Sequence, residues 1–364
     1  MADRERVIAE VRATFGDRIG EVEDRLTSHA ESANVDDLER PSIDDAPDHE
    51  VPNRAVVPGI DDASADELEG LVNDGTIGLR KIREGREAEI SPREQVGLEA
   101  IVVLTGRPPL FIQNGDFLKV PDDWAVLKSH REEIKSSIRR VGRIEVDGHP
   151  EYTWIGTGFL AGPDAIVTNR HVAREFARLD GQSWRFQSGM SARLDFNEEY
   201  GALDPLEFKI TGIVGIHERF DLAVLRVAPT SGTNTLPDPV RVAAARPGTV
   251  IGREIYVIGY PAWDSRRNDP TYMRQIFQNI FDVKRLQPGK VRTWNDGDPK
   301  FVHDASTLGG NSGSPVFDLA THEVIGLHFG GKYLEGNNAV PLWLLTDDEL
   351  LETAGINFVQ PTHA

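Results

Sequence analysis

From about residue 141 onward, the chain consists of short β-type runs that are separated by turn residues. Many short strands without long helices between them are typical of an antiparallel barrel or sandwich. The runs are VGRIEV, YTWIGTGFL, AIVTN, FKITGIVGI, LAVLRV, IYVIGY, NIFDVKRL and VIGLHFGG. A closing helix is predicted where Thr346 and Glu349 form a capping box and Gly355 acts as a stop. The sequence therefore predicts a mainly β domain over residues 141–364.

The preceding part of the chain divides into three predicted segments. The sequence of residues 1–30 predicts an amphipathic helix, because apolar side chains recur there at steps of three and four. Residues 31–62 are rich in Asp, Glu and Pro without any period, which predicts a flexible acidic linker. Residues 63–140 predict a small, mostly helical region of unknown role. The apolar stripe consists of Val7, Ile8, Val11, Phe15, Ile19, Val22 and Leu26.

The stripe must be buried, either against the chain's own domain or against a partner. A regulatory protein that docks on residues 1–140 is therefore one open hypothesis. Within this part, Ser91 and Glu94 predict a capping box, and the Asn-Gly pair at 114–115 predicts a hairpin turn. Another helix is predicted over residues 123–138.

Charge and composition exclude several classes of function. The net charge of −19 lies mostly in residues 1–100, which argues against binding to nucleic acid, since that requires a basic face. No apolar run approaches the roughly 18 residues of a membrane span, and the N-terminus is too charged for a signal peptide. With no cysteine there is no disulfide, no thiolate nucleophile and no Cys-ligated zinc. We expect a cytoplasmic protein without a membrane segment or cofactor.

The segment TLGGNSGSP, residues 307–315, holds one serine between two glycines. Alone, Ser312 is as consistent with a tight turn as with a nucleophile. A serine nucleophile needs a base within hydrogen-bond reach and a group that orients that base. His171 follows the AIVTN run at the start of a predicted helix, and Asp221 directly precedes the apolar LAVL run. Asp195 and Asp204 also lie between His171 and Ser312, but neither opens such a strand.

Three motifs, TNRHV, DLAVL and GGNSGSPV, occur in the order His171, Asp221, Ser312. In this order they resemble the trypsin-like serine peptidases of the chymotrypsin fold. The resemblance implies a mainly β, two-barrel fold with an α-helical N-terminal extension, and a catalytic triad of these three residues. It also implies an oxyanion hole formed by the backbone N–H groups of Gly310 and Ser312. The GxSxG nucleophile elbow is excluded, because the residue two after Ser312 is Ser314.

Further stretches, IGYP, HDASTLGGNSGSPVF and EVIGLHFGG, resemble bacterial glutamyl endopeptidases. This resemblance implies a pocket in which Thr307 and His328 bind the side chain before the scissile bond, with a preference for Glu. Ser306 stands where an Arg/Lys-specific enzyme has an aspartate, so that specificity is not expected. Phe329, Gly330 and Gly331 would offer a backbone edge to a protein or peptide substrate.

Two departures from the family pattern qualify these expectations. Secreted glutamyl endopeptidases use a free N-terminal ammonium near the pocket, whereas a long segment precedes the domain here. Asn311 stands where zymogen-type relatives have an aspartate, so no salt-bridge activation of that kind is predicted. The alternative function is a catalytically weak peptide-binding or adaptor protein, regulated through its N-terminal region. His303 and Asp304 have no third ligand at suitable spacing, so no metal site is predicted.

Overall fold

The computed structural model describes residues 2–31, 63–263, 273, 276–332 and 336–360. Among these residues no helix combines the length and the apolar character that a membrane crossing requires. The predicted acidic linker lies outside the described residues except for Glu31.

The described elements are numbered here in chain order. The helices are α1 (Ala2–Phe15), α2 (Ile19–Glu31), α3 (Ala63–Arg83), α4 (Pro92–Gly106), α5 (Val126–Ser129), α6 (Arg131–Ile138), α7 (Arg170–Arg174) and α8 (Glu349–Ala354). The strands are β1 (Leu110–Gln113), β2 (Asp116–Phe117), β3 (Val141–Asp147), β4 (Trp154–Leu160), β5 (Ala165–Thr168), β6 (Ala177–Asp180), β7 (Ser183–Phe186), β8 (Ser191–Asp195), β9 (Glu207–Ile216), β10 (Ala223–Val227), β11 (Thr230–Ser231), β12 (Asn234–Thr235), β13 (Val242–Ala243), β14 (Glu254–Gly259), β15 (Arg285–Thr293), β16 (Phe301–His303), β17 (Pro315–Asp318), β18 (Val324–Lys332), β19 (Gly336–Pro341) and β20 (Phe358–Val359).

Helices α1 to α4 form a small helical region. The predicted apolar stripe is buried there against α3 and α4, so the chain's own helices cover it. The single helix predicted over residues 1–30 is two helices, α1 and α2. They are separated by a 3-10 turn at Gly16–Arg18, where the φ of Gly16 is +54°, a value that an α-helix does not accommodate. The stripe contacts Val72, Leu79, Ile82, Ile90, Leu98, Ile101 and Val102.

Helix α4 begins with the predicted capping box. The Ser91 hydroxyl accepts the Glu94 N–H at 3.3 Å, and the Glu94 carboxylate accepts the Ser91 N–H at 2.7 Å. These two bonds satisfy amides that have no partner within the helix.

Twelve strands form two closed six-stranded barrels, which confirms the predicted two-barrel fold. In the first barrel the order is β10, β5, β4, β3, β8, β9. In the second barrel it is β14, β17, β18, β19, β16, β15, and the pairing of β14 with β15 closes the ring.

Strands of the first barrel direct alternate side chains to two different cores, as their period of two requires. Ile144 and Ile166 lie in a cluster built from the first barrel and from the segments between its strands. Val141 and Val167 lie in a second cluster, which also contains Tyr256 from the second barrel. Burial of each large apolar side chain stabilises the fold by about 1.5–3 kcal/mol. The shared cluster therefore holds the barrels together below the site.

Residues 107–140 extend the sheet of the second barrel through β1, outside its closed ring of six strands, and pack against both barrels. Strand β1 pairs with β15, and the Asn114-Gly115 turn leads into β2 as predicted. The apolar side chains of this segment lie in the cluster that the barrels share. The predicted boundary at residue 141 therefore does not divide the packing. The buried residues are Leu110, Ile112, Phe117, Val120, Trp124, Leu127, Ile134 and Ile138.

Three local predictions need correction. The helix predicted over residues 123–138 is broken into α5 and α6 at His130. Helix α8 is capped by Asp348, which accepts the Leu350 and Leu351 N–H groups, whereas the Thr346 hydroxyl donates to the Ala244 carbonyl. Gly355 ends α8 as predicted. Of the NIFDVKRL run, only the last two residues lie in a strand.

Candidate active site

His171 and Asp221 come from the first barrel and are hydrogen-bonded to each other. His171 lies on the short helix α7, directly after β5, and Asp221 lies two residues before β10. The His171 Nδ1 atom is 2.7 Å from Asp221 Oδ2, and the His171 backbone N–H donates to Asp221 Oδ1 at 3.0 Å. The imidazole is about half exposed, at 49%, while the carboxylate is 20% exposed. This contact can orient the ring through Nδ1, so that Nε2 is the ring nitrogen left to act on a nucleophile.

The carboxylate of Asp221 is held ionised by His171. Burial by itself raises the pKa of Asp221, but the hydrogen bonds and charge of His171 outweigh this effect, so the pKa is below its ordinary value. An ionised Asp221 accepts the Nδ1–H, which fixes the tautomer that has a basic Nε2. In that tautomer His171 can take a proton from a nucleophile.

Two neighbours of His171 fix the loop that carries Asp221. The Asn169 side chain is fully buried and donates to the Asp221 carbonyl at 2.9 Å. The Arg170 guanidinium donates to the carbonyls of His217 and Glu218 at 3.2 and 2.8 Å. Asn169 and Arg170, the two residues before His171, thus bind the loop that carries Asp221.

Ser312 lies in the loop between β16 and β17 of the second barrel, and a first-barrel residue holds that loop. Thr157 of β4 donates its backbone N–H to the Ser312 carbonyl and its hydroxyl to the Gly310 carbonyl, both at 2.8 Å. The Thr157 carbonyl in turn accepts the Thr168 hydroxyl at 2.7 Å. The serine loop is therefore anchored to the barrel that carries His171 and Asp221.

Glycine is required at two positions beside Ser312. Gly310 has a φ of +80°, and a Cβ there would lie 2.3 Å from the Tyr260 carbonyl oxygen. Gly313 has a φ of +91°, and a Cβ there would lie 2.0 Å from the Thr157 carbonyl oxygen. Any other residue would be strained and would collide with backbone at both positions.

The backbone amides of the loop fall into two groups. The N–H groups of Asn311, Gly313 and Ser314 donate to protein carbonyls. Among the residues that the structure describes, none accepts the N–H of Gly310 or of Ser312. Two amides close together in the chain are thus available to an external oxygen, as an oxyanion hole requires.

One cleft of about 880 Å³ contains both His171 and Ser312 along its lining. The six residues predicted to bind the substrate all line the same cleft. They are Ser306, Thr307, His328, Phe329, Gly330 and Gly331. Of the other predicted site residues, Asp221 and Gly310 do not line it. A volume of this order accommodates several residues of a peptide.

His328 is buried, at 2% exposure, and pairs with a second buried histidine. Its Nδ1 atom is 3.2 Å from His303 Nε2, and the His303 Nδ1 atom has no hydrogen-bond partner among the described residues. Burial lowers the pKa of His303 to about 3. Burial and the charges of His303 and His171 lower the pKa of His328 well below its ordinary value. His328 is therefore a neutral imidazole at neutral pH.

The orphaned His303 Nδ1 indicates which tautomers the pair adopts. Buried N–H groups without an acceptor are rare in folded proteins, and a protonated His303 Nδ1 would be such a group. His303 therefore carries its proton on Nε2 and donates it to His328 Nδ1. His328 then carries its own proton on Nε2, where it can donate to a substrate oxygen.

The backbone beyond His328 offers an open strand edge. Strand β17 pairs with β18 only as far as the Pro315–Leu327 register, while β19 covers the other edge up to Lys332. Among the described strands, none pairs with residues 329–331 on the β17 side. An extended peptide can pair with this edge.

Sequence reasoning missed Thr157, Asn169 and His303, each of which acts through its contacts with a predicted site residue. TNRHV contains Asn169, but only the fold brings its side chain to the Asp221 carbonyl. Thr157 lies in a strand that reads as ordinary β-type sequence, and nothing in the sequence marks its contact with Ser312.

The other carboxylates considered in the sequence have structural contacts. Asp195 is buried and accepts the N–H groups of Asn197 and Leu206. Together with Glu145 and Glu198 it forms the acidic group of the described residues that has metal-like spacing. Arg143 lies 2.5 Å from Glu145 and 3.2 Å from Glu198, so a guanidinium already occupies this place. These three carboxylates therefore give no support for a metal site.

Comparison with known proteins follows this geometry. Residues 156–327 match the family model of the trypsin-like peptidase domain. A protein of Lysobacter enzymogenes named probable serine protease is 29% identical over 306 residues, which are 75% of this chain and 79% of that protein. A glutamyl endopeptidase of Staphylococcus aureus is 29% identical over 200 residues, 52% of this chain and 51% of that enzyme. The chain thus spans about half the length of that relative.

Solved structures were compared in the same way. The active form of the Rv3671c protease from Mycobacterium tuberculosis has a TM-score of 0.42 and 21% identity, and the match covers 70% of this chain and 95% of that one. A serine endoprotease from Yersinia pestis has a TM-score of 0.42 and 18% identity, over 64% and 68% of the two chains. Independently of these structures, the family match and the two closed barrels agree. Residues 156–327 therefore form a trypsin-like peptidase domain, and the protein is a serine endopeptidase.

Proposed function

We propose that Ser312, His171 and Asp221 form the catalytic triad of this peptidase. The observation that carries the proposal is the 2.7 Å contact of His171 Nδ1 with Asp221 Oδ2, with His171 and Ser312 along one cleft. His171 Nε2 takes the proton of the Ser312 hydroxyl as its Oγ attacks the substrate carbonyl. Asp221 stabilises the imidazolium that forms.

The remaining steps of the reaction use the backbone amides beside Ser312 and the proton held by His171. The negative oxygen of the tetrahedral intermediate is bound by the N–H groups of Gly310 and Ser312. His171 then gives its proton to the leaving amine, and an acyl-enzyme remains on Ser312. Water, deprotonated by His171, attacks the ester, and a second tetrahedral intermediate releases the acid product and the free serine.

We further propose that the enzyme prefers Glu before the scissile bond. The neutral His328 donates one hydrogen bond from Nε2, and the Thr307 hydroxyl donates another to the same carboxylate. Ser306 adds no negative charge at the pocket, so an Arg or Lys side chain would find no counter-ion among these three residues. Phe329, Gly330 and Gly331 pair with the substrate backbone.

Fluorophosphonate labelling tests the triad. The wild-type protein should be labelled on Ser312, as located by mass spectrometry, and Ser312→Ala should not be labelled. Ser314→Ala is the matched control in the same loop and should label like wild type. Asp221→Asn should react roughly 10³–10⁴ times more slowly, since its amide favours the wrong His171 tautomer. Asp204→Asn should react normally.

A folded wild-type protein that is not labelled would overturn the triad and favour the alternative, a peptide-binding adaptor.

Cleavage of a peptide library by the wild type tests the specificity. Enrichment of Glu before the cleaved bond is expected, and enrichment of Arg or Lys would contradict the proposal.

A further inference from the structure

The N-terminal helix α1 forms one wall of the cleft that contains Ser312. Arg6, Ala9, Glu10 and Ala13 all line the cleft. Their spacing of three, one and three residues is that of a single helical face. The other face of α1 carries the apolar stripe and is buried in the helical core. Helix α1 therefore packs on the helical region with one face and borders the peptidase cleft with another.

An ion network fixes α1 to the strands that border the pocket. Glu10 Oε1 lies 2.9 Å from Arg107 Nη1 and 3.3 Å from Arg292 Nη2. Arg292 Nε lies 2.5 Å from Asp304 Oδ2. Asp304 comes directly after β16, two residues before Ser306. The helix is thus connected through two arginines to the segment that forms the proposed specificity pocket.

The network also extends to the backbone of that segment. Arg107 donates to the Asp304 carbonyl at 3.1 Å, and Asp304 Oδ1 accepts the Lys290 N–H at 2.6 Å. Arg292 donates to the Ala13 carbonyl at 3.4 Å. These contacts join α1, the end of α4, β15 and β16 in one unit. A change in the position of α1 would therefore be transmitted to the cleft wall.

The described lining of the cleft has one more guanidinium group than carboxylates, although the protein carries a net charge of −19. Among the described lining residues, three are guanidinium groups, of Arg6, Arg107 and Arg292, and two are carboxylates, of Glu10 and Asp304. Burial keeps His328 neutral, so the pocket histidine adds a donor but no charge. The positive charge that would favour a substrate carboxylate therefore comes from the arginines around α1.

We propose that α1 is part of the substrate site, and that Arg6 attracts the Glu side chain that precedes the scissile bond, while Arg107 and Arg292 are ion-paired with Glu10 and Asp304. Arg6 is the specificity-determining residue that α1 contributes. This inference rests on the proposed Glu preference and names the positively charged group that would produce that preference. A substrate with Gln in place of Glu has the same shape but no charge, so it isolates this contribution.

The test compares matched Glu and Gln peptide substrates in the full-length protein. The ratio of kcat/KM for Glu over Gln should fall about tenfold or more in Arg6→Gln, since a charge-assisted hydrogen bond is worth about 1.5–3 kcal/mol. The kcat/KM for the Gln substrate should stay within about threefold of wild type, a range too small to count as a lost charge-assisted bond. Arg6→Lys keeps the charge and should retain most of the preference. Thermal unfolding of each variant confirms that the fold is intact.

Arg12→Gln is the matched control. Arg12 lies on the same helix, but its partner is Glu87 and it does not line the cleft. Its Glu/Gln ratio should equal that of wild type. High salt should lower the wild-type ratio, because it screens the attraction.

The same comparison is repeated by binding, so that it does not depend on turnover. Ser312→Ala and the double variant with Arg6→Gln are titrated with fluorescent Glu and Gln peptides, and loss of Glu-selective binding in the double variant is expected. A wild type that prefers Glu while Arg6→Gln keeps the full ratio overturns this inference alone. If the wild type has equal kcat/KM values and equal affinities for the Glu and Gln peptides, both this inference and the proposed specificity are overturned.

Discussion

The backbone N–H of Thr157 donates to the carbonyl of Ser312 at 2.8 Å, across the junction of the two barrels. The hydroxyl of the same threonine donates to the Gly310 carbonyl. One residue of the first barrel thus fixes the peptide units that follow Gly310 and Ser312. Each of these units shares a Cα with the preceding unit, which carries the N–H of Gly310 or of Ser312, so Thr157 is a positioning residue for the proposed oxyanion hole.

Replacement of Thr157 by valine should lower kcat/KM by roughly 10- to 100-fold. Thr157 is fully buried, so the variant leaves the Gly310 carbonyl without its donor, at a cost of about 1–3 kcal/mol. The effect should be mainly on kcat, because the amides bind the transition state more strongly than the substrate. Steady-state kinetics on one Glu-containing peptide measures it.

Thr157→Ser keeps the hydroxyl and should restore most of the activity. If Thr157→Val had the wild-type kcat at unchanged stability, the positioning role of the hydroxyl would be wrong.

Replacement of Gly310 by alanine should slow fluorophosphonate labelling by more than about 100-fold. An L-residue at φ +80° costs roughly 1–2 kcal/mol, and the added Cβ would also lie 2.3 Å from the Tyr260 carbonyl oxygen. Both effects displace the amide of residue 310. Labelling kinetics of Gly248→Ala provide the control, since a Cβ there meets no atom within 4 Å and its backbone has no positive φ. Equal rates in the two variants would contradict the assignment of residue 310.

Periodicity and turn chemistry are local signals, so they allowed the mainly β domain, the mostly helical region predicted over residues 63–140 and the Asn-Gly hairpin to be predicted. The two-barrel fold followed from the resemblance of the three motifs. The pair His171 and Asp221 could also be chosen from its motifs. Periodicity alone did not predict the break at Gly16. The apolar stripe continues past this residue, so one helix was predicted where the backbone forms two.

Other features depend on contacts between distant segments. Strand β15 passes through Pro288 and Gly289, which read as turn residues, yet its pairing with β14 holds the backbone extended. The β1 segment extends the sheet of the second barrel only because β15 lies beside it. The contact of α1 with the cleft joins residues about 280 positions apart, such as Glu10 and Arg292. No local pattern encodes such a contact.

Replacement of His303 by leucine should weaken the preference for Glu over Gln without changing the labelling of Ser312. In the tautomers inferred above, His303 donates to His328 Nδ1, 3.2 Å away, and so keeps the His328 proton on Nε2. Without this donor both His328 tautomers are populated, and we expect a loss of about three- to tenfold in the ratio, equivalent to a net neutral hydrogen bond. His130→Leu, which removes a member of the separate His130–His322 pair, is the control and should leave the ratio unchanged.

Acid should destabilise the folded protein through the same buried pair. The folded-state pKa of His303 is about 3, whereas an exposed histidine in the unfolded chain has the ordinary value of 6.5. The His328 pKa is lowered as well. Between these values the unfolded chain binds protons that the folded chain excludes, so the free energy of unfolding is unaffected above about pH 6.5 and falls as pH decreases toward 3.

Each histidine should contribute a slope of up to about 1.4 kcal/mol per pH unit within that window. Urea unfolding of wild type and His303→Leu at pH 7.5, 5.5 and 4.5 measures it, since ionisable groups other than the pair contribute equally to both proteins. We expect the stability of the variant to decline less steeply with acid than that of the wild type. Parallel stability profiles over this range would show that His303 is not excluded from protonation in the folded protein.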